Sequence, residues 1–143
     1  MINKKKYNKC SLAIITKKNK YLLQLRDNKK LIRDPKMWGL FGGSIRKFEK
    51  PIKALLREIR EEIDVDIEYK KKFCKIFYKK DRMECNIYSL SINKDILNIS
   101  EGQDYGFFSY NEIISNNVYS KKTKKNHEMT QITLKAIKKF NRV

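Results

Sequence analysis

Apolar residues come in short runs along the chain, separated by polar, lysine-rich intervals. CSLAIIT (Cys10–Thr16) and KYLLQLR (Lys20–Arg26) predict two strands joined by a short polar turn. The interval 27–36, DNKKLIRDPK, carries Pro35 and predicts a loop. MWGLFGG (Met37–Gly43) predicts one short apolar strand running into a Gly-Gly turn. The period then changes. At about 100° per residue, Ile52, Leu55, Leu56, Ile59 and Ile63 share one arc. That predicts an amphipathic helix starting near Lys50, with Pro51 in the first helical position, where its missing N–H costs nothing. Residues 67–80 and 82–92 alternate well enough to be strands turning at Asp81. Residues 94–108 predict strand, loop, strand. Ser109–Asn117 predicts a short helix capped by Ser109. Met129, Ile132, Leu134, Ala136 and Ile137 predict a closing helix over Asn126–Phe140. The pattern is α+β, a mainly antiparallel sheet with a few helices.

Composition narrows this picture. At 143 residues, with no repeat and no linker, the expectation is a single domain, 1–143. No apolar run approaches the roughly 18 residues of a membrane span. The basic N-terminus MINKKKYNKC is followed by no long hydrophobic region, so no secretion signal is expected. Cys10, Cys74 and Cys85, with the single histidine His127, make no zinc pattern. Reduced thiols and a cytoplasmic location are the expectation. Lysine and arginine number 34 against 16 acidic residues, a net charge of +18. The lysines fall in short runs, such as Lys70–Lys72 and Lys124–Lys125, which read as solvated surface. The field they create draws in anionic substrates; binding to nucleic acid is the alternative use.

Against that excess, Glu58, Glu61 and Glu62 stand at i, i+3 and i+4 on the first helix. Such carboxylates repel by about a few tenths of a kcal/mol per exposed pair, and the helix C-terminus disfavours them further. Lys53, Arg57 and Arg60 fall elsewhere on the wheel. A divalent cation with a taste for hard oxygen ligands, Mg²⁺ or Mn²⁺, resolves the conflict. A solvated acidic face is the other reading.

The spacing says more than the wheel. Gly43, five residues, Glu49, seven residues, then Arg57-Glu58-Ile59-Arg60-Glu61-Glu62 and Val65 resembles the Nudix box, G-x5-E-x7-R-E-U-x-E-E-x-G-U with U apolar. Two positions depart from it: Asp64 stands where the family has Gly, and Phe48 replaces the Gly that commonly precedes the first box Glu. Glu101-Gly102-Gln103 resembles a later loop that supplies another carboxylate in members cleaving nucleoside triphosphates.

The resemblance implies an α/β/α sandwich with a mixed, mainly antiparallel sheet. It implies hydrolysis of a nucleoside diphosphate linked to another group, with Mg²⁺ or Mn²⁺ held by the Gly42 carbonyl, Glu58, Glu61, Glu62 and Glu101. Glu58 is the expected general base and Glu101 its alternative; Arg57 orients the glutamates and Glu49 braces the loop–helix junction. Arg26, Trp38, Phe107, Asn126 and His127 are the candidates for substrate contact. ADP-sugar-cleaving members of the family tend to carry a proline downstream of the box; none follows Pro51 here, so the resemblance favours a MutT-like nucleoside triphosphate substrate, ordinary or oxidised, over a nucleotide sugar. An RNA-directed (cap or 5′-end) member, or a nucleic-acid binder, is the remaining alternative. No membrane association is expected, and the chain is expected to be a monomer or homodimer.

Overall fold

The computed structural model describes residues 8–27, 35–63, 65, 67, 69–79, 82–93, 98–99 and 102–142. In chain order its elements begin with β1 (Asn8–Lys17), β2 (Lys20–Leu25), β3 (Trp38–Gly39), β4 (Phe41–Ser44) and α1 (Pro51–Glu62). There follow β5 (Tyr69–Tyr78), β6 (Met83–Ser91), β7 (Asp104–Phe108) and α2 (Tyr110–Ile114). The last are β8 (Val118–Ser120), β9 (Lys125–His127) and α3 (Gln131–Asn141).

β1 organises the sheet. One edge runs parallel to β6 from Asn8 to Thr16, and β5 continues antiparallel beyond β6. The other edge changes partner along its length. From Ile15 to Lys17 it pairs with β2, and from Cys10 to Ala13 it pairs with β4. β2 makes the matching change: its Gln24 and Leu25 pair with β3, while its far edge pairs with β7. The β1–β2 hairpin therefore forks, and β3 and β4 each follow one prong. This is why the single strand expected over Met37–Gly43 is two strands broken at Leu40.

Period-two alternation sorts the side chains of β1 and β2 onto two faces. Ala13, Ile15 and Leu22 join Phe41 in a core closed by Leu55, Ile59 and Ile63 of α1. Ile14, Leu23 and Leu25 join Trp38 and Ile87 in a second core, closed by Ile113 of α2 and by Ala136 and Ile137 of α3. Each Leu, Ile or Phe among them contributes about 1.5–3 kcal/mol on full burial. The result is the expected helix–sheet–helix sandwich. Among the described residues no helix is long and apolar enough to cross a membrane.

The closing helix starts five residues later than its periodicity suggested. Trp38 N–H donates to Glu128 O at 2.9 Å and Thr130 N–H donates to Trp38 O at 2.9 Å. These bonds hold 128–130 extended beside β3. Helix then begins after Thr130, whose hydroxyl accepts from Thr133 N–H. Asn126 and His127 consequently lie in β9. Ser109 caps α2 as expected, in a reciprocal pair with Glu112. The expected turn at Asp81, Asp64, and most of the strand expected near residue 95 lie outside the described residues.

Candidate active site

The fork leaves an opening between β2 and β4, and α1 roofs it. Ser11 Oγ, fully buried on β1, donates to Pro51 O at 2.7 Å and so fixes where α1 starts. The helix then carries Glu58 and Glu62 over the opening. Both line a cleft of about 270 Å³ with Gly42 and Gly43 of β4 and with Gln24, Arg26 and Asp27 at the end of β2.

Gly42 is required by the backbone around it, and Gly43 by the place the Glu58 carboxylate takes. A Cβ on Gly43 would stand 2.6 Å from Glu58 Cδ and Oε1, so the carboxylate rests against bare backbone. Gly42 has φ +140°, and a Cβ there would meet Ser11 O at 2.1 Å.

Arg57 is the hub of the acidic residues. It grips Glu49 with two bonds of 2.9 Å, from Nε to Oε2 and from Nη2 to Oε1. Nη1 donates to Glu58 Oε1 at 2.9 Å, and Nη2 donates to Ser44 O at 3.1 Å. Glu61 Oε2 is further off, 3.7 Å from Nη1. Glu49 also accepts from Arg46 N–H. The Arg57 bonds, then the Arg46 amide, hold its carboxyl at about 2, below the ordinary 4.5. The same pair raises Arg57. Glu49 thus ties the loop before α1 to the helix.

The three helix glutamates do not share one environment. Glu58 is half-buried in the cleft wall. Glu62 is 3 % exposed and lines the cleft. The Glu61 side chain is 55 % exposed and turns outward. Among the described residues no three His, Cys, Asp or Glu side chains converge as a metal centre would require. Glu101 lies outside the described residues. The carboxylates of Glu58 and Glu62, with glycine backbone beside them, nonetheless offer hard oxygen donors on one wall of the cleft. Mg²⁺ is commonly held by one or two carboxylates completed by waters and substrate phosphates, and this donor set suits it.

The candidates for substrate contact divide. Arg26 lies between two clefts and lines both. Its Cδ packs over Gly39, where a Cβ would stand 3.4 Å away. The second cleft, about 200 Å³, is lined among others by Leu12, Leu40, Met83 and Ile132, and it shares Gly42 and Gly43 with the first. Trp38 is core: it is buried, its Nε1 donates to Val118 O at 3.1 Å, and its ring meets Phe108 edge-on at 4.8 Å. Phe107 pairs with Leu22, near the far end of β2, with Lys17 Nζ 5.9 Å from its ring. That places it away from the fork. Asn126 is exposed on β9, opposite Tyr119. His127 is engaged at both ring nitrogens, with Thr123 Oγ1 at 2.7 Å and Lys36 O at 2.8 Å, and pins the β8–β9 ribbon to the residue-36 loop.

Gln24, Asp27 and Ser11 were not anticipated. A signal existed for two of them: Gln24 interrupts YLLQLR and Ser11 interrupts CSLAIIT, and a polar residue inside an apolar strand asks for a buried partner. Gln24 Nε2 finds Leu40 O at 3.5 Å, at the break between β3 and β4.

A family model described as NUDIX domain matches residues 7–130. No curated protein matches the chain. Among solved structures, a MutT NUDIX hydrolase from Burkholderia pseudomallei is similar, with TM-score 0.73 and 18% identity over 94% of this chain and 98% of that one. The NUDIX domain of Shewanella oneidensis NrtR, complexed with ADP ribose, gives 0.73 and 17% over 96% and 88%. A bifunctional NMN adenylyltransferase/ADP ribose pyrophosphatase from Francisella tularensis gives 0.70 and 16% over 99% and 42%. At these identities the likeness speaks for the fold.

Proposed function

The chain belongs to the NUDIX domain family of pyrophosphohydrolases, and we propose that it hydrolyses a nucleoside triphosphate, ordinary or oxidised, to the monophosphate and pyrophosphate. The observation that carries this reading is the juxtaposition of Glu58 and Glu62 with the Gly42–Gly43 backbone in one cleft. Glu58, Glu62 and the Gly42 carbonyl would hold the divalent cation, with Glu61 and Glu101 as further ligands. Bound Mg²⁺ or Mn²⁺ supplies charge neutralisation at the phosphate oxygens and acidifies the attacking water.

The protein's own groups do the rest. Glu58 accepts the proton of that water. Arg57 fixes the Glu58 carboxylate by a charge-assisted hydrogen bond and is itself fixed by Glu49. Arg26, between the two clefts, reaches the phosphates, and the adjoining apolar cleft takes the nucleoside. The lysine excess raises the local concentration of an anionic substrate.

A nucleotide sugar is the second reading, because one similar structure is complexed with ADP ribose and another is a bifunctional enzyme with an ADP ribose pyrophosphatase. The test is phosphate and pyrophosphate release from nucleoside triphosphates, ADP-ribose, dinucleoside polyphosphates and capped RNA, with Mg²⁺ and with chelator. Pyrophosphate from triphosphates alone, and only with metal, supports the reading. Preference for ADP-ribose or RNA replaces it.

A further inference from the structure

Two thiols face each other in the wall of the second cleft. Cys10 on β1 and Cys85 on β6 are register partners in a parallel pair, and Cys10 Sγ lies 3.2 Å from Cys85 Sγ. Neighbouring strands run about 4.7–4.9 Å apart, inside the roughly 4.4–6.8 Å Cα separation that a disulfide spans. Register partners on parallel strands project to the same face, so neither strand must turn to join them. Cys10 is 6 % exposed and Cys85 fully buried, yet both line the cleft of about 200 Å³, which is where a small oxidant meets them. We propose that Cys10 and Cys85 form an oxidative modification site that a hydroperoxide closes to a disulfide and a small thiol reopens.

The chemistry balances. Cys10 Sγ gives up its proton as it attacks one peroxide oxygen; the O–O bond breaks, Cys10 becomes a sulfenic acid, and the expelled hydroxide takes up that proton and leaves as water. Cys85 Sγ attacks that sulfur, and the displaced hydroxide departs as the second water with the Cys85 proton. Two thiols and one hydrogen peroxide become one disulfide and two waters, the sulfurs giving up two electrons. Reduction runs by thiol exchange. Cys74, half-buried on β5, is a control within the same chain, because it has no second described thiol facing it.

The position gives the bond a consequence. Closing 3.2 Å to the roughly 2.05 Å of an S–S bond draws Cys10 and Cys85 together by about 1 Å in the wall of the second cleft. Cys10 is also the register partner of Ser44, whose carbonyl accepts from Arg57. Displacements of about 1 Å can cost about 10²-fold in rate, so the oxidised form hydrolyses about 10-fold more slowly or worse. This coupling rests on the proposed function; the disulfide does not.

The full chain is treated with hydrogen peroxide, alkylated after denaturation and digested without reductant. The expected result is a Cys10–Cys85 linked peptide, alkylation at Cys74 alone, and pyrophosphate release that falls and returns with dithiothreitol. Peptide mapping of the wild type carries the assignment, and Cys10→Ala and Cys85→Ala each remove the link. A sulfinic acid at Cys10 without a link, or links between chains through Cys74, overturns the proposal. A link with unchanged hydrolysis overturns the coupling. A link in a protein that hydrolyses no nucleotide when reduced overturns the hydrolase reading and leaves the site standing.

Discussion

At the residue scale the box positions were legible, because fixed spacing names them without any knowledge of the fold. Phe48 was legible as an oddity and is explained by its backbone. It has φ +64° and is 96 % exposed, in a loop where the family's glycine would be unstrained. A non-glycine residue in that region costs about 1–2 kcal/mol, partly offset by the unfolded-state entropy of glycine. Phe48→Gly should therefore raise stability by about 0.5–1 kcal/mol in denaturant unfolding. Glu49 makes a second case. Its folded pKa is about 2 against the ordinary 4.5. A depressed carboxyl stabilises above its unfolded pKa and loses that contribution as pH falls through the folded one. Glu49→Gln should be less stable than wild type at pH 7, and the gap should close as pH falls from about 4.5 to about 2. A gap independent of pH would assign Glu49 a role other than its charge. Gln24 and Asp27 could not be read forward as site residues, since only the fork brings them opposite β4.

At the element scale, α1 followed from its apolar arc, β5 and β6 from alternation, and β1, β2 and β7 from short apolar runs between polar turns. Two features did not. The break at Leu40 is a property of pairing: β3 and β4 bond to different prongs, and nothing local in MWGLFGG announces it. The late start of α3 is likewise tertiary, set by the backbone bonds between Trp38 and 128–130. Periodicity records which side chains face inward and is blind to a neighbouring strand that holds the backbone extended. The tie from Ser11 Oγ to Pro51 O positions α1 against β1. Ser11→Ala removes that tie, a second bond to a carbonyl that already serves the helix, and should cost about 0.5–1.5 kcal/mol. It should also lower hydrolysis beyond the loss of folded protein, because α1 carries Glu58 and Glu62. Loss of stability with normal turnover per folded molecule would separate the tie from the site.

At the scale of the whole molecule, an acidic cleft lies in a chain of net charge +18. Its lysines fall in runs along edge strand β5 and around the β8–β9 turn, spread over the surface instead of gathered at the fork. Such a field speeds the arrival of polyanions and is screened over about 10 Å at 0.1 M salt. kcat/KM for a nucleoside triphosphate should fall steadily from low to physiological ionic strength while kcat holds. A salt-independent kcat/KM would make the lysines solvating groups only.

The central claim is that two helix carboxylates over a glycine backbone run metal-dependent hydrolysis. Initial rates of pyrophosphate release against Mg²⁺ concentration, for wild type and Glu62→Gln, test it most directly. The account predicts an unchanged melting curve and a rate about 10²-fold lower or worse, because several kcal/mol of charge stabilisation is lost. A Glu62→Gln protein that turns over at the wild-type rate, with the same Mg²⁺ dependence, would contradict it.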